Sequence, residues 1–246
     1  MLKRLIVSLM FLALLPWPAP AETESTAQVS PEAAYFDDAV FVGDSVTNQI
    51  RRYRTAKRNE GEEIFGTARF LSAGAYSVYL GSLRNPPKDK VTLQYRGRAV
   101  SLSQGLAAME AGKAFILLGL TDAPGRNVDR DMTRYARMIE LIREASPDIQ
   151  IVAMSVTPVM EKGQNILTKQ TGINLFNERL QALCSELGIT YLDVATPLKD
   201  EQGFLYGPYS SDKSVHLSEA GLEVLTETLH QHAREQLAGT TPTNGK

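Results

Sequence analysis

Residues Ala39–Ile50 read "AVFVGDSVTNQI". Ala39 to Val42 is a short apolar run of the length a buried strand takes. Gly43-Asp44-Ser45 ends it, and a helical pattern follows at once over Val46–Lys57. This junction is open to two readings. The three residues can be turn formers and nothing more. Alternatively, the Ser45 hydroxyl stands at a helix start, where negative charge is favoured, and serves as a nucleophile. In either case Gly43 lets the backbone turn tightly, and Asp44 can hold the turn by accepting local N–H groups.

The rest of the chain repeats this strand-to-helix junction. Strands are predicted over Ala39–Val42, Phe70–Ala73, Ala114–Leu118, Ile149–Val156 and Thr190–Val194. The third and fourth are continuous apolar runs, which suit strands covered on both faces of a parallel sheet. Helices are predicted over Val46–Lys57, Leu102–Ala111, Arg130–Ala145, Gly172–Leu187 and Ser218–Leu237. Met132, Tyr135, Ile139 and Ile142 make an apolar stripe at helical spacing, as do Leu222, Leu225 and Leu229. Such alternation gives an open α/β sandwich with right-handed crossovers. In that architecture ligands bind beyond the carboxyl ends of the strands.

The 246 residues suit one domain, and 43% hydrophobic content is that of an ordinary globular chain. The net charge of −2, with no dense lysine or arginine cluster, points away from nucleic acid as a partner. Lys3 and Arg4 precede an apolar run from Leu5 to Leu15, and Ala19-Pro20-Ala21 follows. This is the pattern of a secretory signal peptide cut after Ala21. The run is too short for comfortable membrane spanning. The expected organisation is therefore a signal peptide over 1–21, a flexible leader over 22–34, one domain over 35–238 and a disordered tail over 239–246. The product would be periplasmic or secreted, with no stable membrane insertion. The single cysteine, Cys184, lies on an apolar helical face with Ile173, Phe176, Leu180, Leu183 and Leu187 and reads as an inert core thiol.

Residues with chemical potential fall at the predicted strand ends. Ser45 follows the first strand and Gly74, in "FLSAGAYSVY", the second. "GLTD", Gly119–Asp122, follows the third. His216 sits in "SSDKSVHLSEAGLEVL" before the last helix, with Asp212 four residues earlier. Singly, Gly74 is a turn glycine, Asp122 a turn cap and His216 a surface residue; His230 and His232 belong to the last helix. Together they supply what acyl transfer by serine requires: a hydroxyl, a base, a group that orients the base, and donors for an oxyanion.

"FVGDSVT", the glycine of "LSAGAYS", "LLGLTD" and "SDKSVHLSEAG" resemble successive blocks of the SGNH (GDSL-type) hydrolase family. The resemblance runs from about Phe41 to the last helix. It implies a flavodoxin-like, three-layer α/β/α sandwich on a parallel five-stranded sheet, and ester hydrolysis without metal or organic cofactor. By position it makes Ser45 the nucleophile, His216 the general base and Asp212 the group that orients His216. The Ser45 and Gly74 N–H groups and the side chain of Thr121 would form the oxyanion hole. Two positions depart from the family pattern. Thr121 stands where the family usually carries an asparagine amide, and its hydroxyl reaches less far; Asn48 is a neighbouring alternative donor. Lys213 occupies the usual place of the acid, and Asp212 lies one residue further back. Tyr76 and Tyr209, with Tyr79 and Tyr206, are candidates for packing on a sugar. The connection over 157–170 is placed to overhang the site and shape specificity. The expected function is an exported serine esterase for short-chain or sugar-borne O-acyl groups, acting on a small-molecule or polysaccharide ester. The alternative, favoured by Thr121, is a non-catalytic binding module for acylated glycans.

Overall fold

The protein is described by a computed structural model, which covers residues 29–123, 127–164 and 169–240. The strands are β1 (Ala39–Gly43), β2 (Arg69–Ser72), β3 (Leu93–Tyr95), β4 (Arg98–Val100), β5 (Lys113–Leu117), β6 (Gln150–Met154) and β7 (Thr190–Leu192). The helices are α1 (Pro31–Ala34), α2 (Ser45–Asn59), α3 (Val78–Gly81), α4 (Leu102–Ala108), α5 (Val128–Ala145), α6 (Gln170–Leu187) and α7 (Glu219–Thr240). The five predicted strands form one sheet in the order β2-β1-β5-β6-β7, every neighbouring pair parallel. That is the flavodoxin-like order. Helices α1, α2 and α7 pack together, and α3, α4, α5 and α6 form the other packed group.

The sheet centre shows why these sequences choose strands. Phe70, Phe41 and Phe115 lie at one level across β2, β1 and β5. Their rings stack with centroids 5.3 and 5.2 Å apart. Phe36 and Phe65 close over this row, both fully buried. His230 of α7 joins the cluster and bonds the Ile64 carbonyl at 2.6 Å. Cys184 is buried, and burial pushes its thiol up to about 11.

Several boundaries move. Pro31–Ala34, inside the segment read as a flexible leader, is a helical turn: Ser30 accepts from the Ala33 N–H, and Ala33 is buried. At the other end α7 continues through Thr240, two residues into the segment read as tail. The fourth strand stops at Met154: the Ser155 N–H still donates to the Leu192 carbonyl, but the Val156 N–H and carbonyl both pair with the Asn177 side chain. The hairpin β3–β4 was not foreseen. It is antiparallel, and its turn places Arg96 and Gly97 at positive φ. The signal-peptide segment lies outside the described residues. Among the described residues, no helix is long and apolar enough to cross a membrane.

Phe41 touches aromatic rings on both neighbouring strands and on the covering layer. Phe41→Ala should lower stability by about 3–5 kcal/mol, read as a fall in the urea midpoint with an unchanged slope. A loss below about 1 kcal/mol would mean that the row contributes little.

Candidate active site

The site begins with sheet register. Gly43 at the end of β1 lies level with Ser72 of β2 and Leu117 of β5. The chain segments that follow these strands therefore leave the sheet together. Gly43 is required by space rather than by a special φ: a Cβ there would collide with Thr47 Oγ1 and the Leu117 carbonyl. Asp44, buried, is the N-cap of α2 and accepts from the Val46 N–H at 2.9 Å. Ser45 is the first residue of the helix, half-buried, and its N–H is one of the unpaired donors of a helix start.

His216 reaches Ser45 from the far end of the chain. Its Nε2 lies 3.0 Å from Ser45 Oγ, and its Nδ1 lies 2.6 Å from Asp212 Oδ2. The carboxylate at Nδ1 assigns the imidazole proton to that nitrogen, which leaves Nε2 free to accept from the serine hydroxyl. Asp212 Oδ1 accepts from the N–H groups of Ser214, Val215 and His216 at 2.8, 3.1 and 3.2 Å. One carboxylate oxygen thus shapes the loop while the other holds the ring. Burial alone would raise the Asp212 pKa, but these hydrogen bonds, led by that from His216, bring it below the usual carboxylate range. The departure in spacing has a structural answer. Lys213 takes a left-handed conformation, φ +59°, and Asp212, four residues before His216, still reaches its Nδ1. His216 and Asp212 are 35% and 37% exposed as side chains, so the group opens to solvent.

The second and third blocks give a mixed result. Gly74 follows β2, is exposed, and has no atom within 4 Å of the place a Cβ would occupy. Its N–H has no acceptor among the described residues. The strained turn lies one residue on, at Ala75 with φ +58°. Gly119 has φ +133° and packs against Phe176 and Val156, so only glycine fits. Thr121 does not hold its hydroxyl free: Oγ1 lies 3.4 Å from the Tyr76 carbonyl and 3.3 Å from Asp122. Asn48 Oδ1 accepts from the Ser72 hydroxyl at 2.8 Å, which ties α2 to the end of β2. Asp122 does more than cap its own turn, because its Oδ2 accepts from the Val78 N–H at the start of α3.

The tyrosines need one correction. Tyr76 is 3% exposed, so its ring belongs to the core and cannot stack on a ligand. Its position follows Ala75, whose left-handed backbone turns the next side chain inward. Tyr209 is half-buried and stands edge-on to exposed Tyr206, with centroids 5.0 Å apart. Exposed Tyr79 packs against the Arg134 guanidinium. The connection after β6 packs on the His216 loop: Met160 N–H donates to the Ser214 carbonyl at 2.8 Å, and Gly163 abuts Lys213 and Ser214. Residues 165–168 of that connection lie outside the described residues.

Sequence reading passed over Gln49. Its side chain donates to the Leu217 carbonyl and accepts from the Leu217 N–H, both at 3.0 Å. The available signal was its place one helical turn after Ser45, on the same face.

Burial raises the Asp44 pKa to about 6; the Val46 N–H works against this, nearby Asp122 adds to it, and His216 opposes it. Burial likewise raises Asp122. The folded protein therefore holds the Asp44 proton more tightly than the unfolded chain does. Ionisation above about pH 4 costs stability, and the cost grows until about pH 6, up to about 3 kcal/mol. Asp44→Asn keeps an acceptor for the Val46 N–H. It should raise the urea midpoint at pH 7, with the advantage shrinking toward pH 4. An advantage independent of pH would contradict this account.

A model of the GDSL-like Lipase/Acylhydrolase family matches residues 41–224. No curated protein matches the chain. Similar solved structures include a GDSL-like lipase from Bacteroides thetaiotaomicron, 17% identical, with 80% of this chain and 88% of that one covered and a TM-score of 0.61. A carbohydrate esterase family 3 protein from Talaromyces cellulolyticus is 12% identical over 82% of this chain and 99% of its own, with a TM-score of 0.54. An acetyl esterase mutant with acetate ion is 11% identical over 82% and 99%, with a TM-score of 0.55. At these identities the structural likeness speaks for the fold; the family match, which spans most of the chain, speaks for kinship. The chain belongs to the GDSL-like lipase/acylhydrolase family.

Proposed function

We propose that the protein is an exported serine esterase that removes short-chain or sugar-borne O-acyl groups through an acyl-enzyme. The single observation that carries this reading is the line Ser45 Oγ–His216 Nε2–His216 Nδ1–Asp212 Oδ2, with separations of 3.0 and 2.6 Å. In the first step His216 takes the Ser45 proton while Oγ attacks the acyl carbon. His216 then gives that proton to the leaving alcohol. Water, activated by the same imidazole, attacks the acyl-enzyme, and the proton returns to Ser45 as the acid departs. Asp212 keeps the imidazole in the accepting tautomer and stabilises its charged form. The Ser45 and Gly74 N–H groups receive the negative charge that develops on the acyl oxygen, aided by the start of α2.

The third donor is the weak part of the hole. Thr121 can serve the oxyanion only by releasing the Tyr76 carbonyl and Asp122, because a hydroxyl carries one proton. An enzyme with two full donors and one compromised one remains active but slow. For the substrate, the edge-on pair Tyr206 and Tyr209, shortly before His216 in sequence, offers aromatic surface suited to a sugar ring. A carbohydrate esterase and an acetyl esterase among structures of similar fold agree with that choice. Export rests on the pattern of residues 1–21.

A fluorophosphonate probe should label the purified protein, and Ser45→Ala should abolish both labelling and hydrolysis of a simple acetyl ester. Absence of labelling in the parent, together with retained binding of an acetylated glycan, would instead identify a binding module. Thr121→Asn should raise kcat on the acetyl ester by about tenfold or more, since a full oxyanion donor is typically worth about 10²- to 10³-fold. An unchanged or lower kcat would show that the third position is not limiting.

A further inference from the structure

We propose that Gln49 is a positioning residue that sets the distance between His216 and Ser45; this rests on the esterase reading above. The loop over 211–218 is a surface structure with a left-handed residue in it. Its internal bonds fix its shape. The Ser211 N–H donates to the His216 carbonyl, and Asp212 gathers three N–H groups. Its bonds to neighbours run to Met160, Gly163, Pro208, Tyr209, Gly221 and Leu222. Those bonds do not reach α2, the helix that carries Ser45. Among the described residues, the polar links between this loop and α2 are the Ser45–His216 bond itself and the Gln49–Leu217 pair.

The pair suits the task. A carboxamide has a donor and an acceptor side by side, and both are used on one backbone unit. Two parallel bonds fix the approach of the loop in angle as well as distance. Leu217 is the residue after His216 and is 1% exposed, so its peptide groups have little water to turn to. Ser45 and Gln49 project from the same face of α2 one turn apart. The helix thus holds the hydroxyl and the clamp as one rigid body, and the loop holds the imidazole and Leu217 as another. Without Gln49 the polar link that remains between the two bodies, among the described residues, is the Ser45–His216 bond, which the reaction itself must break and remake. A displacement of about 1 Å at such a pair can cost about 100-fold in rate.

The test is Gln49→Met, which keeps the volume and loses both bonds, beside Gln49→Glu, which keeps an acceptor for the Leu217 N–H. In folded Gln49→Met, kcat on an acetyl ester and the fluorophosphonate labelling rate should fall together by about 10- to 100-fold. KM should stay within about twofold, because Gln49 acts through His216 rather than on substrate. Gln49→Glu should fall between parent and Gln49→Met. The low-field proton resonance of the His216 Nδ1–H should persist in all three, since the loop's own bond to Asp212 is untouched. Parent-like turnover and labelling in folded Gln49→Met, with only a lower melting temperature, would overturn the proposal and leave Gln49 a structural residue. If the parent neither hydrolyses esters nor labels, the esterase reading fails by itself. A crystal structure of Gln49→Met then decides the clamp: an Oγ–Nε2 separation still near 3.0 Å overturns it, and an opened one supports it.

Discussion

A hydrogen bond between residues 171 positions apart, from Ser45 to His216, is the constraint that organises this molecule. Neither partner is held by its own neighbourhood alone. Ser45 is fixed because β1 lies inside the sheet, parallel to β2 and β5 on its two sides, with a row of stacked phenylalanines across the three strands. His216 is fixed because a short loop is wrapped around the Asp212 carboxylate and laid against α2. The sheet and the last loop bring these two distant residues within a few ångströms, and short polar contacts do the rest.

The surroundings of Ser45 are electrostatically expensive. Asp44 and Asp122 are both buried, burial raises both, and Asp122 adds to the rise at Asp44. Each is used as an acceptor at a helix start, Asp44 for α2 and Asp122 for α3. A buried carboxylate is retained at such a cost where it fixes backbone that nothing apolar could fix. Here the backbone so held lies on both sides of the proposed oxyanion donors, Ser45 and Gly74. The cost of those acids and the exactness of the site are therefore linked. Asp212 is the opposite case: it is open to water, well supplied with hydrogen bonds, and easily ionised.

The fold was largely legible because its signals are local. Short, mostly apolar runs marked all five strands of the sheet to within about two residues, and the fourth ends early because the Val156 backbone pairs with Asn177. The stripe of Tyr135, Ile139 and Ile142 marked α5, and all three are buried. The misses have physical causes. Tyr76 carries an aromatic ring next to a turn, which suggests exposure, but the left-handed Ala75 sends the chain inward. The hairpin β3–β4 has too few apolar residues to show alternation. Pro31–Ala34 looked like a polar leader, although Ser30 and Pro31 are ordinary helix-start residues.

Sequence by itself determined the five-stranded sheet, the five helices read from periodicity, and which residue types stand at the strand ends, because strand and helix periodicity and turn chemistry act over a few residues. It also marked Ser45, His216 and Asp212 as one group through their resemblance to a family. Only the tertiary structure decided that Gln49 clasps Leu217, that the Thr121 hydroxyl turns to Tyr76, and that Asp212 reaches the His216 ring. Those outcomes depend on distances between segments far apart in the chain. Hydrogen bonds that weaken within a fraction of an ångström are settled by packing, which no local pattern encodes.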